Sequence, residues 1–317
     1  MPVVPATSEN LDRAAARLRE GGVVAFPTET VYGLGANAFD ALAVARVFEI
    51  KRRPQFDPLI VHVLDEAMLE RVASEVSARA RALIERFWPG PLTLVLRKRP
   101  GIPDLVTADL PTVAVRMPAH AVARALIARA GIPLAAPSAN PFGRLSPTRA
   151  DRVARALGDE VDLIIDGGAA EHGIESTIVA LEPEPVLLRP GAIPREAIEA
   201  AIGTALLQAP SDDGRPRAPG RLTHHYAPQT PLRLIDPQRV PPGERSRAAL
   251  VTLSAAPPGY AHVRRLSESS DLREAAARLF ETLHELDDLG LERIDAEPVP
   301  ETGLGVAIMD RLRRAST

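Results

Sequence analysis

Val23-Val24-Ala25-Phe26-Pro27-Thr28-Glu29-Thr30-Val31-Tyr32-Gly33 is the stretch whose reading decides the fold. Four apolar residues make a strand, and Pro27 with the polar residues behind it ends that strand in a loop. Upstream, the spacing of Leu11, Ala15 and Leu18 predicts a helix that begins after Ser8 and stops at Gly21-Gly22. Downstream, a helix is predicted from Asp40 to about Lys51, then a strand over Leu59-Ile60-Val61-His62-Val63. The rhythm continues, with strands expected at 92 to 96, 112 to 117, 133 to 136, 161 to 166, 175 to 181 and 186 to 189, and helices near 75 to 87, 120 to 130 and 148 to 157. Alternation of this kind defines an α/β or α+β sheet domain, here residues 1–203.

From 204 to 231 the chain is rich in Pro, Gly and Asp and has no sustained apolar period, so it reads as a linker and a possible active-site lid. Strands near 232 to 235 and 248 to 253 and helices at 271 to 289 and 303 to 314 then make residues 232–317 a smaller α/β domain. A chain of 317 residues with 45% hydrophobic content has material for two such cores.

Composition narrows the chemistry. With no cysteine, disulfides, thiolate zinc sites and cysteine nucleophiles are excluded. The net charge of −3, with both signs interspersed, argues against strong direct nucleic-acid binding. The N-terminus lacks the charged and apolar regions of a secretory signal, and no apolar run is long enough to span a bilayer, so a cytoplasmic location without a membrane is expected. Only two of 38 basic residues are lysines, Lys51 and Lys98, which singles out Lys51 in Lys51-Arg52-Arg53-Pro54. A cation at a helix C-terminus is favoured by the dipole at about 0.3–1 kcal/mol, so position alone does not assign it a ligand. Arg52, between the two, is expected to face solvent.

Gly33-Leu34-Gly35-Ala36-Asn37-Ala38 matches the dinucleotide fingerprint in letters only. Six residues separate Phe26 from Gly33, whereas a dinucleotide turn follows its strand directly, so these glycines are expected in tight turns. Strand parity is more informative. In Thr112-Val113-Ala114-Val115-Arg116 the valines share one face and Thr112 and Arg116 the other. That strand could equally be an edge with a solvated polar face. Ser138 and Asn140 leave one loop after an apolar strand end, suited to phosphate oxygens or to turn capping. His62 shares a face with Ile60 and has no second ligand at metal spacing, and His224-His225 falls in the linker, so no protein-built metal site is predicted.

Together, Pro27-Thr28-Glu29-Thr30-Val31-Tyr32-Gly33-Leu34, Lys51-x-Arg53-Pro54, Pro58-Leu59-Ile60-Val61-His62, Trp88-Pro89-Gly90-Pro91-Leu92-Thr93, Pro137-Ser138-Ala139-Asn140, Leu188-Arg189-Pro190-Gly191, His225-Tyr226-Ala227-Pro228 and the block from Gly303 to Leu312 resemble the YrdC-like family of threonylcarbamoyl-AMP synthases in its longer, two-domain form. The resemblance implies a twisted mixed sheet with a large cationic cavity and a Rossmann-like C-terminal domain. It also implies a reaction joining L-threonine, bicarbonate or CO2 and ATP, with Mg2+, into threonylcarbamoyl-AMP and pyrophosphate. A separate transferase complex would then modify tRNA. By the same resemblance Thr30, His62, Arg116, Ala136 and Ser176 bind threonine. Lys51, Arg53, Asp57, Thr112, Ser138, Asn140, Ser146, Arg189 and Tyr226 surround ATP, with Lys51 and Arg53 placed at the chemistry. Asp57 departs from the family's usual Asn, and is expected either to face magnesium or to leave ATP untouched. A double-stranded RNA or tRNA-binding module without catalysis, a carbamoyl-adenylate-forming enzyme and a plain ATPase are the competing readings.

Overall fold

The computed structural model describes residues 3–209, 216–220, 222, 225–253 and 255–316. His224 lies outside the described residues. Among these residues a twelve-stranded mixed sheet runs in the order Val3–Pro5, Leu163–Asp166, Val24–Phe26, Gly33–Asn37, Leu134–Ala135, Ile60–His62, Thr112–Arg116, Leu92–Lys98, Thr177–Ala180, Val186–Arg189 and Leu207–Gln208, with Ala73–Glu75 paired to Leu92–Lys98 beside this path. A second sheet of four parallel strands follows the order Leu232–Leu234, Arg293–Ala296, Ala248–Thr252 and His262–Arg265.

Local signals explain most boundaries. The first helix, Ser8–Arg19, starts where Thr7 accepts the Asn10 amide at 3.3 Å and buries Leu11, Ala14, Ala15 and Leu18. Ala41–Lys51 is capped by Asp40 and ends at Arg52, which turns left-handed at φ 53° and is exposed. The parity read in Thr112–Arg116 holds. Val113 and Val115 enter the main core, whereas Ala114 joins a smaller apolar cluster with Ile60, Val95 and Ile178 on the other face. This strand is central, between Ile60–His62 and Leu92–Lys98, so a solvated edge is excluded.

The glycines expected in tight turns instead form the strand Gly33–Asn37, antiparallel to Val24–Phe26. Close approach is the reason. A Cβ on Gly35 would meet the Phe26 ring at 2.6 Å, so the ring needs a bare backbone beside it. In the second domain His262–Arg265 and Arg293–Ala296 are strands without an apolar signature. The first is an edge whose residues are largely exposed, and Asp295 of the second is buried against Arg233 and Arg293.

The two domains share packing. Val31 and Leu145 of the first domain and Tyr226 of the linker belong to the same apolar cluster as Leu279, Phe280 and Ile308 of the second. Gly173 lies against the helix Leu272–Asp287 so closely that a Cβ would sit 2.1 Å from the Ala277 carbonyl oxygen. Glu281 of that helix and Asp288 at its C-cap hold Arg152 at 2.9 and 2.5 Å.

Candidate active site

Where Gly33–Asn37, Ile60–His62, Thr112–Arg116 and Thr177–Ala180 approach one another, they leave a cavity lined by Thr30, Arg53, His62, Arg116, Ala136, Ser138, Ser176, Arg189 and Tyr226. These nine sequence-predicted residues come together from segments up to almost 200 positions apart. Lys51, Asp57, Thr112, Asn140 and Ser146 do not line it. Pro219, Gly220, His225 and Tyr226 of the linker form part of the wall, and about 50 Å³ of the cavity is open to a water-sized sphere. At roughly 10–15 Å³ per water, that is room for a few waters.

One end is organised around Arg116. Its Nη1 donates to Thr30 Oγ1 at 2.8 Å and its Nε to the Gly90 carbonyl at 3.2 Å, while Nη2 pairs with Glu29 Oε1 at 2.7 Å. A guanidinium has five N–H donors, so two remain for a further anion. Thr30 is in turn held by Thr28, whose hydroxyl lies 2.9 Å away and donates to the Val31 carbonyl. Burial by itself would raise the Glu29 carboxyl, but the charge and hydrogen bond of Arg116 outweigh it and bring Glu29 down to about 2. Glu29 was not among the residues singled out in the sequence; its partner stands 87 positions away and only the fold joins them.

His62 faces the same end. Burial first, and then the Arg116 charge, push its pKa down to about 3, so the ring is neutral near pH 7. Its Nδ1 is buried without a hydrogen-bond partner among the described residues. A neutral imidazole with so low a pKa is a poor proton reservoir and a good acceptor or donor by tautomer. Ser176 Oγ lies 2.8 Å from Thr93 Oγ1 and accepts from Arg189 Nη2 at 3.1 Å. The Ala136 amide donates to the Ile60 carbonyl at 2.9 Å, which fixes this residue at the cavity wall.

The other end is built on loops. Lys51 is buried and donates to the carbonyls of Ser138 and Asn140 at 2.6 and 2.5 Å, so it braces the Pro137–Asn140 loop from behind. Burial, then the nearby Arg53 charge, lower its pKa well below that of an ordinary lysine. Arg53 donates to the carbonyls of Asp57 and Pro58 at 3.0 and 2.8 Å and pairs with Asp57 Oδ2 at 2.8 Å. Asp57 is thus turned onto Arg53, as a fully buried carboxylate requires, and not into the cavity. Asn140 Nδ2 is taken by the Pro141 and Arg144 carbonyls, and Ser146 donates to Glu175 at 2.5 Å. Thr112 is four residues from Arg116 on the same face, about 13 Å along the strand, and half-buried. Arg189 donates to the Ser176 and Pro219 carbonyls, and Tyr226 meets His225 edge-on and Phe280 at a tilt with ring centroids 4.1 and 5.6 Å away.

Among the described residues no side-chain nucleophile stands at this cavity in hydrogen-bond contact with a basic histidine. Among the described residues no three His, Asp or Glu converge as metal ligands, and Glu29, Asp57 and Glu175 each face an arginine. The site is a cavity in an α/β fold, lined by the guanidinium groups of Arg53, Arg116 and Arg189. The chain belongs to the Sua5/YciO/YrdC family: the model described as "Telomere recombination" matches residues 16–191, and the one described as "Threonylcarbamoyl-AMP synthase, C-terminal domain" matches 193–317. It is similar to the threonylcarbamoyl-AMP synthase of Bacillus subtilis (strain 168), 44% identical over 96% of this chain and 92% of that one. The Pyrococcus abyssi protein of the same name is 44% identical over 96% of this chain and 93% of its own. The crystal structure of P. abyssi Sua5 complexed with L-threonine superposes with a TM-score of 0.93 at 41% identity, covering 100% of this chain and 98% of that one.

Proposed function

We infer that the chain is an L-threonylcarbamoyladenylate synthase, joining L-threonine, bicarbonate or CO2 and ATP into threonylcarbamoyl-AMP with release of pyrophosphate. The observation that carries this reading is the convergence of Thr30, His62, Arg116 and Ser176 with Arg53, Ser138, Arg189 and Tyr226 on one cavity. The threonine amine takes up CO2, losing a proton, and the resulting carbamate oxygen attacks the α-phosphorus as the bond to pyrophosphate breaks. No protein nucleophile is needed. Two anions must instead be held in line against their repulsion, which is a task for positioned cations and dipoles. At an effective dielectric near 20, a cation about 4 Å from a phosphate charge contributes about 4 kcal/mol before desolvation.

In this assignment Arg116 receives the threonine carboxylate on its two spare N–H groups, with Glu29 and Gly90 fixing the plane of the fork. Neutral His62, Ser176 and the Ala136 carbonyl face the amine and hydroxyl. Arg53, Ser138 and Arg189 meet the nucleotide, while Lys51, Asn140 and Ser146 shape the loops around it. Mg2+ enters as part of the substrate, carried by the triphosphate oxygens, since the carboxylates beside the cavity are matched by arginines. The linker acts as a lid. Residues 219–220 and 225–226 line the cavity, and in this assignment they withdraw for ATP binding and return over the bound nucleotide. The product passes to a separate transferase complex that modifies tRNA, and we assign the reaction to the cytoplasm, where ATP and tRNA meet.

The test is mass spectrometry of the nucleotide product with threonine, bicarbonate or ATP omitted in turn. Threonylcarbamoyl-AMP is expected only in the complete mixture. Pyrophosphate release that ignores threonine would point to a carbamoyl-adenylate enzyme or an ATPase, and steeply salt-dependent RNA binding without turnover would point to an RNA-binding module.

A further inference from the structure

Arg311 stands on the helix Gly305–Ala315 of the C-terminal domain, yet it is wholly buried against the catalytic half of the chain. Its Nε reaches Glu175 Oε2 at 2.9 Å, and its Nη1 reaches the Pro190 carbonyl and Asp310 Oδ2, both at 2.8 Å. The guanidinium carbon lies 5.1 Å from the centroid of the Tyr226 ring, a cation–π contact in a site closed to water. Both partners matter to the cavity. Glu175 and Tyr226 line it, and Glu175 immediately precedes Ser176, whose carbonyl and hydroxyl are held by Arg189. The same helix grips the linker a second time. Arg314 Nη1 donates to the Leu222 carbonyl at 2.7 Å, and the His225 amide donates to the Arg314 carbonyl at 3.3 Å.

We propose that Arg311 is a positioning residue for the adenylation reaction, through which the C-terminal domain fixes Glu175 and Tyr226 at the nucleotide end of the cavity. This rests on the functional reading above and gives the second domain a part in it. Without Arg311 the Glu175 wall and the Tyr226 ring lose a common anchor that lies 136 and 85 positions away in the chain. Arg311 does not line the cavity; it acts through Glu175 and Tyr226, which do. The groups facing Glu175 are Arg311, Arg189, Ser146 and Tyr226, and Asp310 pairs with Arg311. Burial would raise the Glu175 carboxyl, and Arg311 and then Arg189 outweigh it and hold it low. Removing Arg311 therefore lets Glu175 take up a proton at higher pH.

The experiment uses the full chain and follows pyrophosphate release at saturating threonine or ATP. Arg311→Met is expected to raise the ATP KM about tenfold, leave the threonine KM within about twofold, and add a loss of kcat/KM toward acid that the parent lacks. The double variant Arg311→Met with Glu175→Gln carries no titrating carboxyl there, so it keeps the high ATP KM and loses the added pH limb. Where Arg311→Met does not fold, Arg311→Lys retains a cation without the fork and is expected to raise the ATP KM about fivefold. Should Lys at this position also prevent folding, the double variant, neutral at both places, decides by the same ATP KM.

The proposal is overturned if the folded variant has both KM values within about twofold of the parent and an unchanged pH profile, even when kcat drops with the folded fraction. A parent that makes no threonylcarbamoyl-AMP defeats the functional reading instead, and the two failures are told apart by the parent control.

Discussion

The two ends of the cavity are built differently. The end we assign to threonine is set on sheet strands: Arg116 and His62 are register partners on adjacent parallel strands, and Glu29 and Thr30 hold the guanidinium from a loop anchored by Thr28. The end we assign to the nucleotide is set on loops and on the linker, where Lys51 and Arg53 spend their donors on carbonyls of residues 57, 58, 138 and 140. The first end is finished before a ligand arrives. The second borders the linker, whose residues 219–220 and 225–226 are part of its wall. Rigid strands suit recognition of one small amino acid, whereas the lid proposed above would admit the triphosphate past a wall that moves.

The harshest way to break this comparison is to remove Arg116. Arg116→Met strips the anion-binding fork and leaves Glu29 buried and unpaired, a change that costs about 3–5 kcal/mol in comparable buried pairs. Turnover is expected to fall at least about 100-fold, and the folded fraction should fall with it. Adding Glu29→Gln should restore the thermal midpoint without restoring turnover. If the double variant turns over normally, the guanidinium is not the threonine anchor.

At the nucleotide end, Lys51→Ala and Arg53→Ala are expected to lose about 10- to 100-fold in ATP-dependent turnover while circular dichroism shows a retained fold. Threonine binding, measured calorimetrically without ATP, should survive both. Equal damage to the two substrates would erase the division between the ends. Smaller still is Tyr226→Ala, for which a rise of about three- to tenfold in the ATP KM and an unaltered threonine affinity are expected. Unaltered ATP affinity would remove Tyr226 from the lid.

How much of this the sequence could carry depends on whether a residue's partner is near it in the chain. Parity sorted Val113 and Val115 from Arg116, because a strand's own alternation decides which face each side chain takes. The scarcity of lysine drew attention to Lys51, which proves to be buried behind the loop it braces. Glu29, in a polar loop, and Glu175, at the start of an expected strand, carry no local signal, because Arg116 and Arg311 are brought to them from far along the chain. The strand Gly33–Asn37 escaped for another reason: its glycines are chosen to fit the Phe26 ring, a contact no period records. His262–Arg265 and Arg293–Ala296 likewise owe their strands to parallel neighbours and carry charges that hide them.

Proton linkage offers the gentlest probe, and it treats the ends separately. His62 has an ordinary pKa near 6.5 when unfolded and about 3 when folded, so between these values only the unfolded chain binds the proton. Its contribution to stability is complete above about pH 6.5 and is lost as pH falls, by up to about 1.4 kcal/mol per pH unit. Glu29 works in the same direction lower down: folded it titrates at about 2 against 4.5 unfolded, so its pairing is lost as pH falls from 4.5 toward 2. Neither group changes charge in the folded protein between about pH 5 and 8, and threonine affinity should not vary on their account in that range. His225, at the linker, is also pushed well down by burial and then by Arg53, and adds a second proton of the same sign. Urea unfolding at about pH 7, 6 and 5 should therefore show His62→Gln and His225→Gln each flattening the parent's loss of stability by up to one proton's worth. A His62→Gln profile parallel to the parent's would mean that this histidine already carries its charge in the folded state, and the threonine end would then hold a cation where we place a neutral ring.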